Sequence, residues 1–460
     1  MASFAQMKLK LSTFPSSYHG DPELAPIRIV EECKEFLNSD IGKKVLRINS
    51  SALQKFVDEK VDINEVAVSC AKSSPSSSTG ETRTDVENGD HIKYEYETRL
   101  DDIGRILAYN VVNFSFFPDE GAKPWFISGG IGKDDEAYAI TESLKRWEKK
   151  LEKGEAGGKD KGSSIMLSSE VSTPSDVSSQ DQEVDPVHSV NITTRASSCW
   201  RDPSYLLTLT LKDMEKIFEP DTEAGTLPLL EWRLQCLHSL ATGYQASGGL
   251  EAMLKEMNVK NDNDMNIDME NSKITTTTTT TVGRFVSTVC KYVPAFRDIR
   301  RGIEFAKRPQ LAASMLHADN LVNFSDIEES ITVFSDYRLP QLFIGVAIFA
   351  SDLVLEEVDW KVMTSTVQEP RNEDRGATTT TLHSLVTSHS PIDVETPLET
   401  ALRAGTIVAA AELLQKLKAK YPEREGITMA NLDYYLWRTA VDLDGKKELP
   451  PFHRTRTYCY

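Results

Sequence analysis

The chain has 460 residues, with 52 Lys and Arg against 70 Asp and Glu, a formal charge of −18 and a mean hydropathy of −0.36. Such an acidic chain repels nucleic-acid phosphates and anionic membrane surfaces at long range, which disfavours a polymeric nucleic acid as substrate. The N-terminus MASFAQMKLKLSTF lacks a continuous apolar signal core, and no run of about eighteen apolar residues occurs, so the sequence predicts a soluble, cytoplasmic protein with no membrane partner.

In chain order, four polar segments stand out: 71–90, 154–198, 259–281 and 364–391. They are rich in Ser, Thr, Asp, Glu, Gly and Asn, include the run ITTTTTTTV, and are too poor in aliphatic residues to offset chain entropy of about 1–2 kcal/mol per residue. They read as disordered insertions into a single helical domain over 20–460. Between them the apolar spacing is mainly helical. TRLDDIGRILAYNVVNFSFF ends in a β-prone aromatic run at Phe117, and SYLLTLTL from Ser204 reads as a short strand. Thr210 with Asp213 forms a capping-box pattern that puts Met214, Ile217 and Phe218 on one face. Ser325 with Glu328 predicts a helix carrying Ile331 and Phe334, and the Ala- and Leu-rich stretch from Leu402 to Tyr421 predicts a long helix. The fold class is therefore all-α or predominantly α.

The six cysteines form no CxxC pair, and no histidine pair has ligand spacing, so the thiols read as reduced and mostly buried, with no metal site. P-loop, GxSxG and HExxH patterns are missing. What remains is aromatic residues interleaved with carboxylates. In ITVFSDYRLPQLF, Pro340 disfavours continuation of a helix, so Asp336, Tyr337 and Arg338 should lie at an interruption between two helices, with Phe334 two residues earlier able to stack on a flat base. The same residues also suit a surface ion pair before a helix. In NLDYYLWRTAVDL a helical period places Asp433, Leu436, Trp437 and Ala440 on one face; Asp433 is either a helix cap above a core Trp or a partly desolvated carboxylate able to stabilise or attack a cationic sugar. Lys307, Arg308, Arg338 and Arg403 are cations within apolar stretches. Solvated side chains are their default reading, and a small phosphate is the alternative partner. His453 reads as a packed tail residue.

Seven stretches occur in the order in which the queuosine salvage family carries them, and on these the chain resembles that family: NFSFF (Asn113 to Phe117), TLPLLEWRL (Thr226 to Leu234), VPAFRD (Val293 to Asp298), KRPQ (Lys307 to Gln310), VFSDYRLPQ (Val333 to Gln341), LDYYLW (Leu432 to Trp437) and PFHRTR (Pro451 to Arg456). The resemblance implies an all-α fold similar to helical DNA glycosylases, and hydrolysis of queuosine 5'-phosphate to queuine and ribose 5-phosphate without a metal or redox cofactor. Carried over by motif, Asp433 is the nucleophile or transition-state stabiliser, Phe334 and Asp336 bind the base, and Tyr434 lies beside the catalytic carboxylate. Lys307 and Arg338 are assigned to the phosphate on charge alone. Two departures are visible: a histidine of the family's N-terminal helical segment is replaced, with Gln54 as its candidate counterpart, and the family's EIR reads ALR at Ala401 to Arg403. A glycosylase of another nucleoside or damaged base is the second enzymatic reading. A non-catalytic helical interaction protein with phosphorylated Ser/Thr loops is the third.

Overall fold

A computed structural model describes residues 26–67, 88–119, 121–131, 136–154, 196–257, 279–350, 352–361 and 380–460. Helices dominate, and their starts follow from local side-chain chemistry. Asn49 accepts the Ser51 and Ala52 amides ahead of the Ser50–Glu59 helix, and Thr428 accepts Asn431 N–H ahead of Met429–Gly445. Thr396 accepts Glu399 N–H, and Pro397 supplies a preset φ at the first position of Pro397–Lys420.

The first part of Pro397–Lys420, from Leu398 to Ala410, is buried on nearly every side because its Ala, Leu, Thr and Gly leave no polar stripe, while the Lys-rich last turns are exposed. Around it pack Pro26–Asn38, Asp40–Val45, Ser50–Glu59, Arg338–Gly345 and Met429–Gly445. Gly405 permits the closest approach: a Cβ there would meet Leu46 Cδ2 at 2.4 Å and the Phe349 ring at 3.1 Å. This aliphatic core runs from Ile29 to Ala440. A second, aromatic-rich core is built by Asn88–Val112, Leu230–Ser247, Val282–Tyr292 and Lys307–Ala318 with the tail residues Tyr458, Cys459 and Tyr460.

Among the described residues strand is confined to two short pairs. Thr279–Thr280 lies parallel to Asn323–Phe324, with Thr279 opposite Asn323. Ile299–Arg300 returns antiparallel as Ile303–Glu304 through Arg301 and Gly302, whose φ of 48° and 84° define a type I′ turn.

Several local expectations need correction. SYLLTLTL is not a strand: Asp202 caps Ser204 and Tyr205 N–H, Pro203 opens the turn, and Pro203–Thr208 is helical. No helix starts at Ser325. Its hydroxyl and amide both turn to Thr280 O, Asp326 is used to accept Val282 N–H at 2.9 Å, and residues 331–335 run irregular and buried. Tertiary partners there outbid the local capping pattern. The β-prone run at 113–117 joins no sheet; its backbone is held by side chains and by the tail. Pro340 lies in the first turn of Arg338–Gly345, and no helix precedes it. The capping box at Thr210 and Asp213 is formed, with Met214 and Ile217 buried. Cys33, Cys199, Cys236, Cys290 and Cys459 are free and buried, while Cys70 lies outside the described residues.

Of the polar segments, 71–87, 155–195, 259–278 and 364–379 lie outside the described residues. Their described ends carry structure. Asn88 opens a helix, 196–198 belong to the Ala196–Arg201 turn, Thr280 is buried in a strand, and Leu382–Thr387 is a helix capped by Thr381.

Candidate active site

The two cores meet along a cavity of about 490 Å³. Its walls come from the end of Asn88–Val112 and the following 113–116, the start of Glu136–Glu152, the Lys307–Ala318 helix, residues 334–339 and one face of Met429–Gly445. All six residues singled out from sequence, Lys307, Phe334, Asp336, Arg338, Asp433 and Tyr434, line it.

Asp433 sits in the second turn of its helix, so it is not a cap; Thr428 has that role. Only 8 % of it is exposed, and Oδ1 accepts the Phe334 N–H at 2.7 Å. Burial penalises its charged form and pushes its pKa up to about 7, with the Phe334 N–H and Lys307 pulling down and Asp336 pushing further up. The predicted apolar face is divided. Leu436 and Ala440 turn into the aliphatic core, whereas Tyr434, Trp437 and Val441 share the cavity with Asp433. The Tyr434 and Trp437 rings lie 5.9 Å apart at 38°.

Opposite them, Asp336 Oδ1 accepts Arg338 N–H at 2.7 Å, and Oδ2 lies 3.8 Å from Lys307 Nζ. Lys307 is 7 % exposed. Burial lowers its pKa, and Asp336 and Asp433 oppose that shift. Arg338 does not pair with Asp336 through its side chain. Its guanidinium binds Asp444 Oδ2 at 2.8 Å and lies over the Phe452 ring, while Gln341 bridges Asp444 and Pro450 O. Among the described residues no group of three or more His, Cys, Asp or Glu could hold a metal ion.

The supporting structure consists of buried arginines. Arg403 is fully buried and forms a bidentate pair with Asp298, at 2.7 and 2.6 Å, between the rings of Phe305 and Tyr460. Its Nε donates to Ser335 O, and Ser335 Oγ donates back to Arg403 O, which fixes the loop between Phe334 and Asp336. Asp298 Oδ2 also accepts Lys307 N–H, offsetting the left-handed φ of 48° at Ala306 that aims the helix. Among the described residues Arg233 and Arg308 find no carboxylate. They donate to Val112 O, Pro228 O and Phe114 O, and to Val111 O and Ala295 O, respectively. They thus satisfy carbonyls at the end of Asn88–Val112, which helix geometry leaves open. The stretches matched from sequence therefore hold one another: Arg233 of TLPLLEWRL grips NFSFF, Arg308 of KRPQ grips VPAFRD, and Arg456 of PFHRTR lies over Phe117.

Gln54 is not at the cavity. It is exposed, donating to Asp58 and accepting from Lys416, so the expectation that it stands in for a base-binding histidine is withdrawn. Ala401 is packed in the aliphatic core, and the ALR departure leaves the cavity wall untouched. His453 is buried, as a packed tail residue. Sequence reasoning missed Tyr109, Asn113, Glu136, Tyr138 and Tyr460 on the wall. Leu311, Ser314 and Met315 follow Lys307 at helical spacing, a pattern that could have marked them as its neighbours on one face.

Comparison with known proteins bears on the same residues. A family model described as "Queuosine salvage protein" matches residues 187–378 and 377–460, more than half of the chain, and these ranges contain every motif listed above from TLPLLEWRL onward. The queuosine 5'-phosphate N-glycosylase/hydrolase of Bos taurus is 26 % identical over 273 residues, spanning 56 % of this chain and 65 % of that protein's length. Given a match over more than half of the chain that takes in the stretches Lys307 to Arg338 and Asp433 to Trp437 of the cavity wall, this chain belongs to the queuosine salvage protein family.

Proposed function

We propose that the protein hydrolyses the N-glycosidic bond of queuosine 5'-phosphate, releasing queuine and ribose 5-phosphate for reuse in tRNA modification. The observation that carries this reading is a buried carboxylate, Asp433, on the wall of an aromatic-lined cavity of about 490 Å³ in a chain of this family. That volume falls in the range of small-ligand pockets, roughly 300–1,000 Å³. The Bos taurus relative is named for this activity.

In the reaction, the bond between the anomeric carbon and the base nitrogen breaks with its electron pair leaving on the base. The sugar passes through an oxocarbenium-like state, water adds its oxygen to the anomeric carbon, and one water proton ends on the base. Asp433 acts at the sugar. One oxygen is held by the Phe334 N–H, and the other is left to stabilise the cation or to form a transient glycosyl ester that water opens. Phe334, with Tyr434 and Trp437 opposite, covers the flat base, and Asp336 accepts from its donors. Lys307 and Arg338 complete the polar wall; Arg338, with 16 % of its side chain exposed against 8 % for Lys307, is the better placed for the 5'-phosphate.

The test is incubation with queuosine 5'-phosphate followed by chromatography for free queuine. Release by the wild type and its loss in Asp433→Asn is the expected result. No release by the wild type would overturn the reading, and full release by the variant would remove Asp433 from the chemistry.

A further inference from the structure

Two carboxylates and one lysine are enclosed together at the junction of the cores, and their charges can be counted. Asp433 and Asp336 come from elements about a hundred residues apart in the chain, and each already spends one oxygen on a backbone N–H, from Phe334 and Arg338. Lys307 reaches the same space from the first turn of its helix, with Nζ 3.8 Å from Asp336 Oδ2 and its charge felt at Asp433. The other cations nearby each have a partner outside this carboxylate pair. Arg308 binds backbone carbonyls, Arg403 binds Asp298, Arg338 binds Asp444, and Arg438 pairs with Asp442 at 3.3 Å. Glu136 lines the cavity beside Arg338, which feels its charge, and Tyr434 is the neighbouring hydroxyl on the Asp433 helix.

We propose that Lys307 is the counter-ion of this carboxylate pair and not a phosphate ligand, leaving the three groups, once Asp433 is ionised, with one net negative charge that matches the unit positive charge of an oxocarbenium ion. This rests on the glycosidase reading above. Two like charges in a low-dielectric site cannot both ionise without a cation close by. Removing Lys307 therefore leaves Asp433 protonated over a wider pH range, and removing Asp336 does the reverse. A phosphate ligand, by contrast, would discriminate nucleotide from nucleoside.

The test is the pH profile of kcat/KM for base release by the wild type, Lys307→Met and Asp336→Asn, together with the ratio of efficiencies on queuosine 5'-phosphate and queuosine. Lys307→Met should move the acid limb upward by about one pH unit, with roughly fivefold less activity at pH 7 that returns at higher pH, and should leave the substrate ratio unchanged. Asp336→Asn should move the limb downward even if the base binds more weakly, and it decides the matter alone should Lys307→Met fail to fold. An unmoved limb in the folded variants, or a 10- to 100-fold collapse of the substrate ratio in Lys307→Met, overturns the proposal while the glycosidase reading stands. Absence of turnover by the wild type at every pH would instead overturn the reading beneath it.

Discussion

The two cores are built from different material. Around Asn88–Val112 and Leu230–Ser247 the interior is crowded with Phe, Trp and Tyr, and its buried arginines end on backbone carbonyls. Around Pro397–Lys420 the interior is mainly Leu, Ile, Val and Ala with a few Phe rings, and the buried arginine, Arg403, ends on a carboxylate contributed from across the boundary. Tyr109, Phe114 and Phe116 bring the first core to the cavity as an aromatic wall; the second, closely packed on small residues, holds the Asp433 helix to one position. The proposed reaction at a flat base joined to a sugar needs both a stacking surface and a fixed charge, and the cavity draws on both cores for them: Phe334 belongs to the first, while Asp433, Tyr434 and Trp437 stand on the helix held by the second.

The largest effect should come from the fixed charge. Asp433→Asn should lower turnover by about a thousandfold or more while queuine still binds, measured by single-turnover base release and calorimetric titration. The same change should stabilise the fold. A folded pKa of about 7 against an ordinary carboxyl value of 3.8 means that burying Asp433 costs nothing below pH 4, and that the cost grows until pH 7. Denaturation at pH 8 should therefore find Asp433→Asn more stable, by an amount on the order of 1 kcal/mol or above, with little difference at pH 4. Equal stability at pH 8 would mean that the carboxylate is solvated in the free protein.

Arg403 and Arg233 sharpen the contrast between the cores. Arg403→Met strands the buried Asp298 carboxylate and frees the loop at Ser335, and should cost about 3–5 kcal/mol. Arg233→Met strands only carbonyls, so a smaller loss, about 1–3 kcal/mol, is expected from urea unfolding. A larger loss for Arg233 would place the main electrostatic strut in the aromatic core instead.

His453 gives a milder, pH-dependent effect. Burial, aided by Arg403, holds its pKa at about 3, and neither ring nitrogen has a protein hydrogen-bond partner among the described residues. Because the folded value lies below the ordinary 6.5, its contribution is intact above pH 6.5 and is lost as pH falls toward 3, by up to ~1.4 kcal/mol per unit. His453→Leu should flatten the fall in unfolding free energy between pH 7 and pH 5. An unchanged slope would exclude His453 as a source of acid lability. The smallest effect belongs to Gln54→Ala, which should leave turnover within about twofold and stability within ~0.5 kcal/mol because its partners are exposed.

Local chemistry made much of the fold legible. A capping Thr with Asp three residues on and an Ala- and Leu-rich stretch without breakers each act within one or two turns, so the chain itself determined that these helices form and that the protein is mainly helical; the long helix nevertheless opens at Pro397, ahead of the expected Leu402, because Thr396 caps it there. Of the six residues picked for the cavity, Phe334, Asp336, Asp433 and Tyr434 were legible through the order of the family's motifs, and Lys307 and Arg338 through their charge within apolar stretches. What a residue pairs with was not legible. Ser325 opens no helix because Thr280 and Val282 take its neighbourhood, and Arg338 turns to Asp444 because that carboxylate, 106 residues away, reaches it first. The bond from Phe334 N–H to Asp433, spanning 99 residues, and the approach of Lys307 to Asp336 exist only once two cores of different composition close on each other. Burial at that boundary sets the ionisation of the site, since the cost of desolvating a charge depends on everything packed around it and not on its neighbours in the chain.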